Sequence, residues 1–182
     1  DYDEARQADS MRCCSLDDGK EIWRRWYTVR LKRNHGISRT IPAVDGTHVV
    51  TIGPGCHVMC CDARTGELAW GIDLVREHGS EVPLWYTGQC PLIDGSQAVI
   101  AVCSAETLLM GVDLASGRVV WRTPNTRKLA MSHSSIIQTT IGGVRTYVYA
   151  AIGGIVGVSA ESANRGTPLW SSAAFDATVI AP

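Results

Sequence analysis

The stretch Cys56-His57-Val58-Met59-Cys60-Cys61 holds the residue types that bind zinc, with one imidazole and three thiols inside six positions. Zinc needs its donors converged on one point, at about 2.0–2.3 Å from the metal. The alternation of the run marks it as a strand, and in a strand Cys56 and Cys60 share a face but lie roughly 13 Å apart, while Cys60 and Cys61 point to opposite faces. The residues therefore read as small core side chains, and no metal site is expected. Haem attachment requires C-x-x-C-H, an order this stretch does not have. The chain has seven cysteines, an odd number, so at least one thiol stays unpaired within it.

The elements that carry such residues must come from a globular core. The 182 residues are 45% hydrophobic and 19% charged, which excludes intrinsic disorder and fits about one domain. With 17 basic and 18 acidic residues the formal net charge is −1. This gives no global electrostatic case for a nucleic-acid or anionic-membrane partner. The longest uncharged apolar runs fall short of a membrane span and contain Gly153-Gly154. The opening segment DYDEARQADS is polar, and neither a signal peptide nor a lipid anchor is legible in it. The run RRWYTVRLKR concentrates Arg24, Arg25, Arg30, Lys32 and Arg33, and the alternation with Val29 and Leu31 predicts an outer strand with a solvated cationic face.

Self-comparison is the most informative operation. Trp23, Trp70, Trp121 and Trp170 are each preceded four positions earlier by Gly19, Gly66, Gly117 and Gly166, at successive spacings of 47, 51 and 49 residues. A second marker keeps the same period: Asp45-Gly46, Asp94-Gly95 and Gly142-Gly143. Each unit is four short runs rich in β-branched residues, separated by turn dipeptides, the pattern of a four-stranded antiparallel meander. In Asp62-Ala63-Arg64-Thr65-Gly66 and Asp113-Leu114-Ala115-Ser116-Gly117 the aspartate accepts from the amides ahead of it, and glycine takes the positive-φ position. A tryptophan recurring at one place on the last strand is suited to fill the wedge between neighbouring sheets.

The predicted fold is all-β: a β-propeller of four-stranded antiparallel blades, present as a partial ring of three complete blades and two partial ones. The units are 1–33, a polar N-terminal segment and the last two strands of a partial blade; 34–75, 84–125 and 129–174, one blade each; and 175–182, the first strand of the next. Too few blades are present to close a ring, so the segment is expected to belong to a longer protein, and its uncapped ends to favour association or easy unfolding.

The small-x-Asp-x-x-Thr/Ser-Gly-x-x-x-Trp pattern of Cys60 to Trp70 and Gly111 to Trp121 resembles the tryptophan-docking motif of the pyrroloquinoline-quinone (PQQ) repeat family. That family includes quinoprotein alcohol dehydrogenases and the BamB-type outer-membrane assembly propellers. Ser15 and Asp18 depart from the motif in the first copy, and the fourth holds an insertion of about three residues before Gly166. The resemblance implies a bacterial envelope protein, periplasmic, outer-membrane-associated or secreted. It implies a non-catalytic binding or scaffold module with no cofactor. The alternatives are a PQQ- and calcium-dependent alcohol or sugar dehydrogenase, and a glycan-binding or glycan-processing accessory protein. Cys13-Cys14 and Cys60-Cys61 resemble the redox ring of the family enzymes, but neighbouring side chains on an extended strand point apart, which favours core packing.

In a propeller the loops leading into the first strands gather at one mouth of the central channel. Aligned on Pro42, Pro91, Gln138 and Pro182, they bring His35, Arg39, Trp85, Tyr86, Gln89, Ser132, His133 and Asp176 together as a candidate site for a protein or glycan ligand. No catalytic residue can be assigned. The expected partners of the sheets themselves are the remaining blades of the full-length chain or a second copy.

Overall fold

The structure, a computed structural model, describes residues 1–32 and 39–174. His35, Asp176 and the strand expected over 175–182 lie outside the described residues.

Four antiparallel sheets follow one another along the chain. Sheet I contains β1 (Tyr2–Asp3), β2 (Ala8–Cys14) and β3 (Glu21–Thr28). Sheet II contains β4 (Ala43–Val44), β5 (His48–Ile52), β6 (His57–Asp62) and β7 (Leu68–Asp73). Sheet III contains β8 (Leu92–Asp94), β9 (Gln97–Ala101), β10 (Thr107–Asp113) and β11 (Val119–Pro124). Sheet IV contains β12 (Ile137–Ile141), β13 (Val144–Ala151), β14 (Gly154–Ser159) and β15 (Pro168–Ser172). Each is a meander whose strands pair in chain order, and the sheets do not close on themselves: this is a partial propeller. The sequence reading gave sheet I two strands. The structure adds β1, a two-residue strand too short to show an alternation of its own.

One helix, α1 (Leu74–His78), follows β7. Asp73 caps it by accepting from the amides of Val75 and Arg76, and Gly79 closes it in the left-handed conformation, φ 71°. Leu74 is fully buried, so the short helix plugs the outer end of the sheet II–III wedge.

The tryptophans make the same contact from sheet to sheet. Within its own sheet, each lies opposite a small residue on the third strand: Cys13, Cys60, Gly111 and Gly157 for Trp23, Trp70, Trp121 and Trp170. A register shift follows that small residue in all four sheets. Each indole ring of the first three sheets then lies against the hairpin glycine of the next. A Cβ added at Gly66 would fall 2.6 Å from Trp23, one at Gly117 2.7 Å from Trp70, and one at Gly166 2.6 Å from Trp121. All three glycines have positive φ as well, so glycine is demanded twice over, by backbone and by space. The hairpin is held by its first side chain: Asp62 Oδ1 accepts from Arg64 and Thr65 amides at 2.9 and 2.7 Å, Asp113 Oδ1 from Ser116 at 2.8 Å, and in the first copy Ser15 Oγ takes the same role toward Asp17 at 3.1 Å.

The main core spans sheets II to IV and includes Val50, Val58, Cys60, Trp70, Val99, Leu109, Leu114, Tyr147 and Tyr149. A smaller cluster of Met11, Val49 and Cys61, with Trp23 and Ala63 against it, joins sheets I and II.

Gly95 and Gly117 separate the two demands on glycine. Gly95 has φ 61° but nothing within 4 Å of a Cβ, whereas Gly117 has φ 70° and the Trp70 ring in the way. Gly95→Ala is expected to cost about 1 kcal/mol, the left-handed penalty alone. Gly117→Ala should cost a further ~1–3 kcal/mol from overpacking. Urea unfolding of the two variants measures the difference, and equal losses would show that the indole does not press on the glycine.

Candidate functional site

The segments that lead into the innermost strands converge at one side of the molecule. Pro42 and Pro91 stand at the starts of these strands and supply no amide hydrogen, so side chains take over the pairing. Thr40 Oγ1 donates to the Ile52 carbonyl at 2.7 Å. Gln89 meets both backbone groups of Ala101, donating to its carbonyl at 2.7 Å and accepting from its amide at 3.0 Å. Ser132 Oγ donates to the Ala150 carbonyl. The three acceptors sit at matching places near the ends of β5, β9 and β13. Gln89 and Ser132 are both fully buried. The structure thus places these two candidate ligand residues in the core beneath the mouth, bound to backbone. A second set of bonds ties the sheets along the inner side: Ile41 donates its amide to Cys90 Sγ at 3.2 Å, and Cys90 its amide to Ser135 Oγ at 2.9 Å.

Above this layer the structure brings Trp85, Tyr86 and His133 together. Tyr86 Oη donates to the Lys32 carbonyl at 2.7 Å, reaching the link between sheets I and II. His133 Nε2 donates to the Leu84 carbonyl at 3.1 Å, from the link between sheets III and IV. The imidazole also lies over Gly88, where a Cβ would fall 2.7 Å from His133 Cβ. Trp85 and Tyr86 are consecutive left-handed residues, φ 63° and 73°. An L-residue pays roughly 1–2 kcal/mol for that conformation, so the loop is held in it by its contacts. Leu84 and Val82, beside the strained pair, are 62% and 42% exposed. Arg39 is half-buried on the neighbouring link.

Two polar clusters between sheets carry no sequence signal, because their members are 40 or more residues apart or sit in unrelated runs. Between sheets III and IV, Trp121 Nε1 donates to Gln97 Oε1 at 2.7 Å, Gln97 Nε2 to Tyr147 Oη at 3.3 Å, and Tyr147 Oη to Asp94 Oδ2 at 2.5 Å, with Arg145 on Asp94 at 3.0 Å. Burial, and then Asp94, push the Tyr147 phenol up. Between sheets I and II, Tyr27 Oη donates to Asp9 at 3.2 Å and its ring lies 4.8 Å from that of His57. His57 Nε2 stands 3.6 Å from Asp73, and its Nδ1 is buried without a hydrogen-bond partner.

The cysteine stretch disperses as its alternation requires. Cys56 meets Thr87 Oγ1 at 3.0 Å, Cys60 belongs to the sheet II–III core, and Cys61 to the sheet I–II cluster. All seven cysteines are free thiols. Among the described residues no three His, Cys, Asp or Glu side chains are placed to hold a metal ion. A calcium-bound quinone needs convergent acidic ligands and a ring closed by adjacent cysteines. Cys60 and Cys61 face different neighbouring sheets, so the described residues do not fit such a group. The exposed Trp26 has the Arg6 guanidinium 4.8 Å over its ring, which occupies the face a sugar would stack on. Among the described residues no helix is long and apolar enough to cross a membrane.

Repeated meanders joined by indole-on-glycine contacts define a PQQ-like repeat propeller. Residues 7–181 match the family model described as outer membrane protein assembly factor BamB, and the chain belongs to that family. Solved structures give the same fold. BamB from Moraxella catarrhalis superposes with a TM-score of 0.58 at 18% identity, over 90% of this chain and 42% of that one. Quinohemoprotein alcohol dehydrogenase from Comamonas testosteroni gives 0.57 at 11% identity, over 93% of this chain and 32% of that one. The chain thus spans less than half the length of these structures. Among curated protein sequences none matches it.

Two outcomes are expected from the buried groups. Gln89→Ala leaves both Ala101 backbone groups unpaired in the core and should cost about 2–4 kcal/mol, at 1–3 for each unsatisfied group, in chemical denaturation; a loss below 0.5 would remove Gln89 from the structural layer. Burial pushes the Cys60 and Cys103 thiols from 9.0 up to about 12. The folded chain keeps these protons where the unfolded chain loses them, so this stability is complete below about pH 8.5 and declines as pH rises toward 12. A denaturant series from pH 8 to 11, with Cys60→Ala/Cys103→Ala flattening the alkaline slope, checks it.

Proposed function

We propose that the chain is a non-catalytic binding propeller of the bacterial envelope, acting in outer-membrane protein assembly, and that it binds its protein partner through the loop bearing Val82, Leu84, Trp85 and Tyr86. The strained pair Trp85-Tyr86 carries the reading: two aromatic residues are held left-handed by contacts to both neighbouring links, and the result is an apolar side chain, Leu84, presented to solvent. Strain that the surroundings maintain at a surface loop is a mark of function. An aliphatic anchor on a rigid loop suits burial in a protein partner better than recognition of a polar small molecule. The polar residues that would have favoured a small ligand, Gln89 and Ser132, spend their hydrogen bonds on backbone. Membership of the BamB family supports the assembly role and the envelope location.

The dehydrogenase reading draws only on fold likeness, and the dispersed cysteines and carboxylates speak against it. One experiment on the full-length protein separates the two. Leu84→Asp should weaken binding of the soluble domains of the outer-membrane assembly machinery at least tenfold, by surface plasmon resonance, with an unchanged melting temperature. Added PQQ with calcium should leave melting unshifted and give no dye-linked alcohol oxidation. Turnover, or unaltered binding by Leu84→Asp, would replace the reading.

A further inference from the structure

Trp170 repeats the placement of the other three tryptophans inside its own sheet. It lies opposite Gly157, where a Cβ would fall 2.2 Å from the indole, as a Cβ at Gly111 would from Trp121. It differs in what it meets outside. Trp70 is 9% exposed and Trp170 38%, and the Trp170 indole N–H has no hydrogen-bond partner among the described residues. The surrounding face carries no charge: β15 is Pro-Leu-Trp-Ser-Ser and β12 is Ile-Gln-Thr-Thr-Ile, exposed throughout.

Sheet I displays the complementary half. Its hairpin has the backbone bonds of the occupied ones: Ser15 N to Lys20 O at 2.8 Å and Gly19 N to Ser15 O at 3.0 Å, against Asp62 N to Glu67 O at 2.8 Å and Gly66 N to Asp62 O at 2.9 Å. Gly19 has φ 70°, the same as Gly117, but nothing lies within 4 Å of its would-be Cβ. Leu16, beside it, stands where Ala63 and Leu114 stand in sheets II and III, and those two carbonyls accept the indole N–H of the preceding sheet at 3.1 and 2.7 Å. The Leu16 side chain is fully exposed.

We propose that the two open faces are halves of one interface, and that a second copy of this chain docks head to tail, with Trp170 of one copy seated on Gly19 and its indole N–H donating to the Leu16 carbonyl of the other. The docking continues, in the same register, a joint the chain makes three times internally. Two copies joined this way present eight sheets, within the range at which propellers close.

Sedimentation of the chain over a concentration series tests the proposal. A dimer, or a longer head-to-tail assembly, is expected, and Trp170→Ala and Gly19→Asn should each weaken it at least tenfold; asparagine tolerates the left-handed backbone but places a side chain under the ring. The two variants mixed should associate more tightly than either alone, because each retains the half joint the other lacks. Circular dichroism confirms that both fold, and Trp170→Phe serves if the alanine variant does not. A monomer across the series, an assembly indifferent to both variants, or a mixture no tighter than its parents would overturn it. A monomer whose Trp170 resists acrylamide quenching would assign the cover to the chain's own residues.

Discussion

The structure depends on an indole ring laid flat on a glycine of the next sheet. The glycine must be bare because the ring approaches to where a Cβ would be, and it must be left-handed because it closes the hairpin between the third and fourth strands. The ring must first cross its own third strand, which is why the residue opposite each tryptophan is small: Cys13, Cys60, Gly111, Gly157. One hairpin thus holds a receiver and, four residues later, a donor. A unit that both gives and receives the same contact can be stacked indefinitely, and a common period near 49 residues follows from the contact.

That stacking decides what remains for a ligand. The innermost strands are short, two and three residues in sheets II and III, and begin at prolines. The carbonyls at the ends of the second strands would be orphaned there, and a buried unpaired carbonyl costs about as much as any bound ligand contact returns. Thr40, Gln89 and Ser132 fill the gap. Polar residues at a channel mouth are therefore drawn downward into backbone pairing, and the surface above them is left to the link between sheets II and III, where Leu84, Trp85 and Tyr86 stand.

The fold was legible because its signal is periodic. Four tryptophans and four glycines at matched spacing identify the joint without any knowledge of the contact itself, and the alternation of Cys56 to Cys61 is enough to scatter its thiols. The candidate site was legible only in part. Sequence placed Gln89 and Ser132 on the right loops but could not tell a side chain facing the channel from one turned into the core, since that depends on which carbonyl lies beneath. The left-handed pair Trp85-Tyr86 carries neither glycine nor asparagine to announce it. Helix α1 has an aspartate cap and a closing glycine, but five residues are too few for a 3.6-residue period to show. The Asp94–Tyr147–Gln97–Trp121 cluster joins strands of two sheets and has no local pattern.

The third joint shows which part of the contact is essential. In the first two, the indole N–H donates to the carbonyl of Ala63 or Leu114. The longer hairpin of sheet IV brings in Arg165, whose Nε takes the matching Ala160 carbonyl at 3.2 Å. Trp121 turns its N–H to Gln97 of its own sheet and stacks on Tyr147 at 5.8 Å, yet its ring keeps the same seat on Gly166 as Trp23 and Trp70 keep on theirs. A hydrogen bond is worth about 1 kcal/mol net and can be satisfied by any nearby acceptor. Burying an indole is worth several and has one geometry here. The larger and more directional term is held constant across the joints, and the smaller one is exchanged, so insertions in the hairpin are tolerated wherever an acceptor for the indole can be found and the glycine stays in place.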